Sequence, residues 1–114
     1  MRYLATRSRR SASFVLLALA PFLVAVQPAP AKVSIKDLAY SPQSLTISNG
    51  QSVTWTNLDT RDHTVISADS APAPFSSPNL APGASFTRTF TTPGTYPYGC
   101  SYHPRMSGTI TVKN

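Results

Sequence analysis

Residues 44–57 read SLTISNGQSVTWTN, and how this stretch is read decides the fold. Apolar and polar side chains alternate on each side of Asn49-Gly50: Leu45 and Ile47 share one face, and Val53 and Trp55 share another. An extended chain places every second side chain on the same side, whereas a helix needs apolar residues three or four apart. Asn-Gly is a turn dipeptide. The stretch therefore predicts two short strands, each with one buried face, separated by a turn.

The same period continues outward. KVSIKDL (32–38), HTVIS (63–67), SFTRTF (85–90), TYPYGC (95–100) and GTITVKN (108–114) are rich in Val, Ile, Thr, Phe and Tyr. Turn residues separate them at Ser41-Pro42, Ala81-Pro82-Gly83, Pro93-Gly94 and Gly108. No apolar stripe recurs at helical spacing. The pattern predicts an all-β fold, a two-sheet β-sandwich closed by Greek-key connections. Residues 68–82, ADSAPAPFSSPNLAP, hold four prolines and little periodicity. They read as a connection, either a plain crossover between sheets or a lid or docking surface, with Phe75 and Leu80 pinning it to the body.

The N-terminus has a different character. Arg2, Arg7, Arg9 and Arg10 form a basic head, Phe14 to Val26 an apolar run interrupted by Pro21, and Ala29-Pro30-Ala31 a small-residue site. This is a secretory signal pattern, with cleavage expected before Lys32. The run has 13 residues, against roughly 20 for a spanning helix. The expected division is a signal peptide over 1–31 and one domain over 32–114. The pattern leaves two export routes open, the ordinary one and a twin-arginine route hinted at by Ser8-Arg9-Arg10.

Charge excludes one class of partner. The chain carries +6, but four of its ten basic residues lie in the signal. From Lys32 onward, six basic residues face four acidic ones and form no run, so nucleic-acid binding has no support. An internal disulfide is impossible, because Cys100 is the only cysteine.

Beyond the signal the chain contains His63, Cys100, His103 and Met106, and no other His, Cys or Met. A thiolate, two imidazoles and a thioether are the donor set of a blue-copper site, trigonal His2Cys with a weak axial Met. The thiolate binds strongly, the imidazoles suit both oxidation states, and the soft thioether favours Cu(I). Cys100-x-x-His103-x-x-Met106 brings three donors onto one short loop, which costs little closure entropy and which Pro104 stiffens. His63 must then arrive from elsewhere in the fold. Zinc is the alternative metal, though it rarely takes methionine. A Cys-His hydrolase lacks an orienting third group near His103.

These residues resemble the cupredoxins, the plastocyanin and azurin group, over nearly all of the exported part, and within it the small amicyanin-type members. The segments that carry the likeness are VTWTN (53–57), DHTV (62–65), FTTPGTYPYGC (90–100) and CSYHPRMSGTITV (100–112). The resemblance implies a Greek-key sandwich of seven or eight strands with copper held by His63 through Nδ1, Cys100, His103 and Met106. It also implies a corner role for Tyr96, against ordinary packing. Thr64 departs from the pattern, since many cupredoxins place asparagine there to brace the cysteine loop. Asn57 is a candidate for that bracing amide, or else a turn residue.

By the same resemblance the expected function is single-electron transport in the periplasm, with no enzymatic activity. Partners would be c-type cytochromes or oxidoreductases docking transiently near His103. A monomer that leaves the membrane after signal cleavage is expected. The alternative is copper storage or delivery, although the sequence lacks the exposed Met or His runs that delivery usually employs.

Overall fold

The computed structural model describes residues 11–15, 21 and 28–114. The signal segment expected over 1–31 lies for the most part outside these residues. Among the described residues no helix is long and apolar enough to cross a membrane.

Among the described residues eight strands follow one another: β1 (Ala31–Lys36), β2 (Ala39–Ser41), β3 (Ser44–Ser48), β4 (Ser52–Asn57), β5 (Ile66–Ser67), β6 (Ser85–Thr89), β7 (Gly94–Gly99) and β8 (Ser107–Lys113). They form two four-stranded sheets, ordered β2-β1-β4-β6 and β3-β8-β7-β5. The expected all-β sandwich is the observed one. The turn at Asn49-Gly50 does not close a hairpin. It carries the chain from one sheet to the other, so that β3 pairs parallel with β8 and β4 parallel with β1. Gly50 makes that corner at φ 91°, and its N–H donates to the Phe90 carbonyl at 2.7 Å.

Two elements differ from the sequence reading. KVSIKDL is not extended to its end: Asp37 and Leu38 turn at φ 51° and 56°, and β2 folds back on β1. The physical cause is remote, because the Asp59 carboxylate accepts both of their N–H groups, at 2.8 and 3.1 Å. Of HTVIS, only Ile66 and Ser67 pair as a strand, with β7. His63 instead forms a lone bridge with Leu80 of the 68–82 connection.

The alternation read from sequence points the apolar faces together. Val33 and Ile35 of β1, Val53 and Trp55 of β4, Tyr96 and Tyr98 of β7, and Ile110 and Val112 of β8 are all buried. Trp55 is fully buried, with Phe75, Phe86, Phe90 and Tyr98 around it at centroid distances of 5.5–6.4 Å. Such a cluster buries much apolar area and dominates core energetics. Opposite Tyr98 stands Gly108. A side chain there would collide with the tyrosine ring, so β8 needs glycine at that register. On the outer face, Ser52–Thr89, Thr54–Thr87 and Thr56–Ser85 pair their hydroxyls across β4 and β6 at 2.7–2.9 Å.

The 68–82 connection is fastened to the body as expected. Phe75 and Leu80 are buried, and the Ser67 hydroxyl accepts the Phe75 N–H at 2.7 Å. Tyr96 acts as a corner tyrosine, its hydroxyl donating to the Thr92 carbonyl at 2.6 Å.

Candidate metal centre

His63 enters the sandwich between β4 and β5 and is fully buried. Its N–H donates to the Leu80 carbonyl at 3.1 Å and its carbonyl accepts the Leu80 N–H at 2.8 Å. The 68–82 connection is thus more than a crossover, since it clamps the backbone of a site residue. The ring is fixed at its far end, where Nε2 lies 2.8 Å from Asp59 Oδ2. A carboxylate only accepts, so Nε2 carries the proton and Nδ1 is left with a free lone pair. That lone pair faces Cys100, with Nδ1 3.8 Å from Sγ.

The other three residues sit where β7 ends and β8 begins. Cys100 directly follows β7, and its Sγ is 3.6 Å from His103 Nδ1. The Met106 N–H donates to the His103 carbonyl at 2.9 Å, a turn that closes the loop, and Met106 is buried. The donor atoms of His63, Cys100 and His103 all lie within 4.8 Å of one another. The two histidine rings stand 4.9 Å apart.

These spacings admit a metal ion. A nitrogen at about 2.0–2.1 Å and a sulfur at about 2.3 Å from one ion are separated by roughly 3.6–3.8 Å at tetrahedral to trigonal angles. The sulfur is also prepared as an anion. Burial alone would raise the Cys100 thiol, but hydrogen bonds to the sulfur, that of the Thr64 N–H first among them, outweigh it and bring it down to about 6. Asp59 is similarly tuned: burial raises it, while the N–H groups of Leu38 and Asp37 and the His63 ring together hold it below the usual carboxylate range.

Thr64 does the work expected of an asparagine. Its N–H donates to Cys100 Sγ at 3.4 Å, and its hydroxyl oxygen accepts the Ser101 N–H at 2.9 Å. Asn57 braces a different segment from the cysteine loop. Fully buried, it donates to the Arg61 and Leu80 carbonyls at 2.7 and 2.8 Å and accepts the Asp59 N–H at 2.9 Å. It shapes the 58–62 loop that delivers Asp59 and His63. Asp59 is the site residue that sequence reasoning missed; the one available signal was a carboxylate four positions before a histidine.

Around His103 the surface is a shallow apolar depression lined by Leu38, Tyr102, His103, Pro104, Arg105 and Met106. Leu38 and Tyr102 are exposed there. The Tyr102 hydroxyl donates to Asn79 Oδ1 at 2.9 Å, tying the rim to the 68–82 connection.

The profile of the cupredoxin-like domain matches residues 10–112. Amicyanin-alpha of Methylorubrum extorquens is 34% identical over 96 residues, covering 80% of this chain and 81% of that protein. The Cu(I) form of an amicyanin variant superimposes with a TM-score of 0.70 at 30% identity, over 77% of this chain and 86% of that one. A copper-containing nitrite reductase from Thermus scotoductus SA-01 gives a TM-score of 0.74 at 33% identity over 78% of this chain. This chain spans only 23% of that enzyme.

Proposed function

The chain belongs to the cupredoxin-like family, and from that premise we propose that His63 and His103 through Nδ1, Cys100 through Sγ and Met106 through its thioether hold its copper ion. The protein is a type 1 copper electron carrier and not an enzyme. When bound, copper supplies the one-electron couple. The chain's residues supply the rest. Burial of His63, Cys100 and Met106 keeps water from the donors. Hydrogen bonds from the Asp59, Leu80 and Thr64 positions hold the donors in place. Donors fixed in this way need little rearrangement when the charge of the site changes, which is what rapid electron exchange requires.

The observation that carries the ligand assignment is the convergence of three donor atoms within 4.8 Å around a sulfur whose acidity is already raised. Adding Cu(II) to the metal-free protein should give an intense blue colour in a one-to-one complex. A colourless complex would remove the assignment.

The half-buried His103, set in its apolar depression, is the route by which an electron enters and leaves. A c-type cytochrome or a periplasmic oxidoreductase docks there briefly, over a small area. The protein works in the periplasm as a monomer, after a signal over residues 1–31 has been removed. Mass spectrometry of exported protein should find Lys32 at the N-terminus. Burial of the donors does not suit the alternative role of copper delivery, because a delivery site must surrender its ligands one by one. Rapid passage of Cu(I) to an acceptor protein, with slow electron self-exchange, would favour delivery instead.

A further inference from the structure

The Asp59 carboxylate receives N–H groups from two places at once. Oδ1 accepts the Asp37 N–H at 2.8 Å, while Oδ2 accepts the Leu38 N–H at 3.1 Å and the His63 Nε2–H at 2.8 Å. Asp37 and Leu38 form the turn with φ 51° and 56°, a left-handed conformation that bulky residues rarely adopt. Strained backbone of this kind persists only where its surroundings impose it. Leu38 is exposed and lies on the rim of the depression that contains His103.

We infer that Asp59 is a positioning residue that couples the docking rim at Leu38 to the His63 ligand. This inference rests on the assignment of His63 as a copper ligand through Nδ1. A carboxylate on Nε2–H makes the imidazole a more basic donor and so favours the higher charge state of the metal. Oδ2 divides its lone pairs between the ring and the Leu38 N–H. A partner that presses on Leu38 and loosens that N–H leaves Oδ2 wholly to His63, shifting the site toward Cu(II) and the electron outward. Asp59 touches neither copper nor partner; it transmits.

Coupling of this kind is reciprocal, which makes it measurable from either end. Hydrogen exchange at the Asp37 and Leu38 amides should be at least tenfold slower in the Cu(I) protein than in the Cu(II) protein. The Gly50 amide, bonded to the Phe90 carbonyl in a separate turn, reports any general stabilisation and is subtracted. Asp59→Asn keeps the shape but offers one acceptor oxygen in place of two. It should abolish the difference between the two redox states and raise the reduction potential by about 59 mV, the equivalent of a tenfold change in the Cu(II)-to-Cu(I) affinity ratio. Asp59→Glu, which restores the carboxylate, should bring the potential partway back. If Asp59→Asn frees the two amides but leaves the potential unchanged, or shifts the potential while the amides still respond to the redox state, the coupling is refuted. Wild-type protein that stays colourless with Cu(II) would instead refute the copper assignment itself.

Discussion

Thr64 has one side-chain oxygen and uses it to hold the cysteine loop. That oxygen accepts the Ser101 N–H, pairs with the Ser101 hydroxyl at 3.0 Å, and stands 3.8 Å from Cys100 Sγ. Thr64→Val keeps the shape and the main-chain N–H to sulfur but deletes these bonds. The copper-free protein should lose about 1–2 kcal/mol in denaturant unfolding, while the copper protein stays blue. Cys100 gives a second residue-scale prediction. Its folded thiol, at about 6, lies below the ordinary value of 9.0. Between these values the unfolded chain holds a proton that the folded one has released, so the Cys100 contribution to metal-free stability should climb from pH 6 to pH 9 and be flat below. The slope cannot exceed about 1.4 kcal/mol per pH unit, and Cys100→Ser should remove it. Thermal melts across this range are the measurement. The four residues proposed as donors stand out in the sequence because no other His, Cys or Met follows residue 31. Asp59 was not legible. Asp59 and Asp62 both stand near His63 in sequence, and only the tertiary path of the 58–62 loop brings one of them to Nε2.

Elements show the same division for a different reason. β3, β4, β6, β7 and β8 run for five to seven residues, long enough for a period of two to stand out from composition. β2 has three residues and β5 two; neither length can display a period. They exist because of what lies beside them, β2 because Asp59 enforces the turn before it and β5 because β7 offers an edge. The 58–62 loop likewise owes its shape to Asn57, a residue that sequence alone could place only as a turn former or a brace. Asn57→Ala would strand two backbone groups, the Arg61 carbonyl and the Asp59 N–H, and remove one of the two donors to the Leu80 carbonyl. An unsatisfied buried group costs about 1–3 kcal/mol. Some of these groups can find water, so a total loss of about 2–4 kcal/mol is expected. The Leu80 carbonyl also accepts the His63 N–H. The same substitution should therefore disturb the copper electron paramagnetic resonance spectrum, which a substitution at the outer hydroxyl pair Thr54–Thr87 should leave alone.

At the scale of the whole molecule, the question is whether copper holds the sandwich together or the sandwich holds copper. The donors arise from two places, the entry to β5 and the loop between β7 and β8, and both are anchored by strands whose buried faces do not include the metal. Trp55, Phe90, Tyr96, Ile35 and Ile110 are packed away from solvent, and none of them offers a metal donor. Burying such side chains contributes roughly 1.5–3 kcal/mol each, so the core by itself outweighs any single ligand contact. Zinc-finger-like behaviour, in which the chain unfolds without metal, is therefore not expected. The protein stripped by a chelator should retain its near-ultraviolet circular dichroism and unfold cooperatively. Copper should then add stability by mass action alone, about 2.7 kcal/mol when free copper is a hundred times its dissociation constant. The midpoint should rise with copper concentration and not in a single step. Cys100→Ala should lose the colour and the copper-dependent rise together, while its metal-free spectrum overlays that of the wild type. A stripped protein without tertiary dichroism would show the reverse dependence, with the ion organising both sheets from their edges inward.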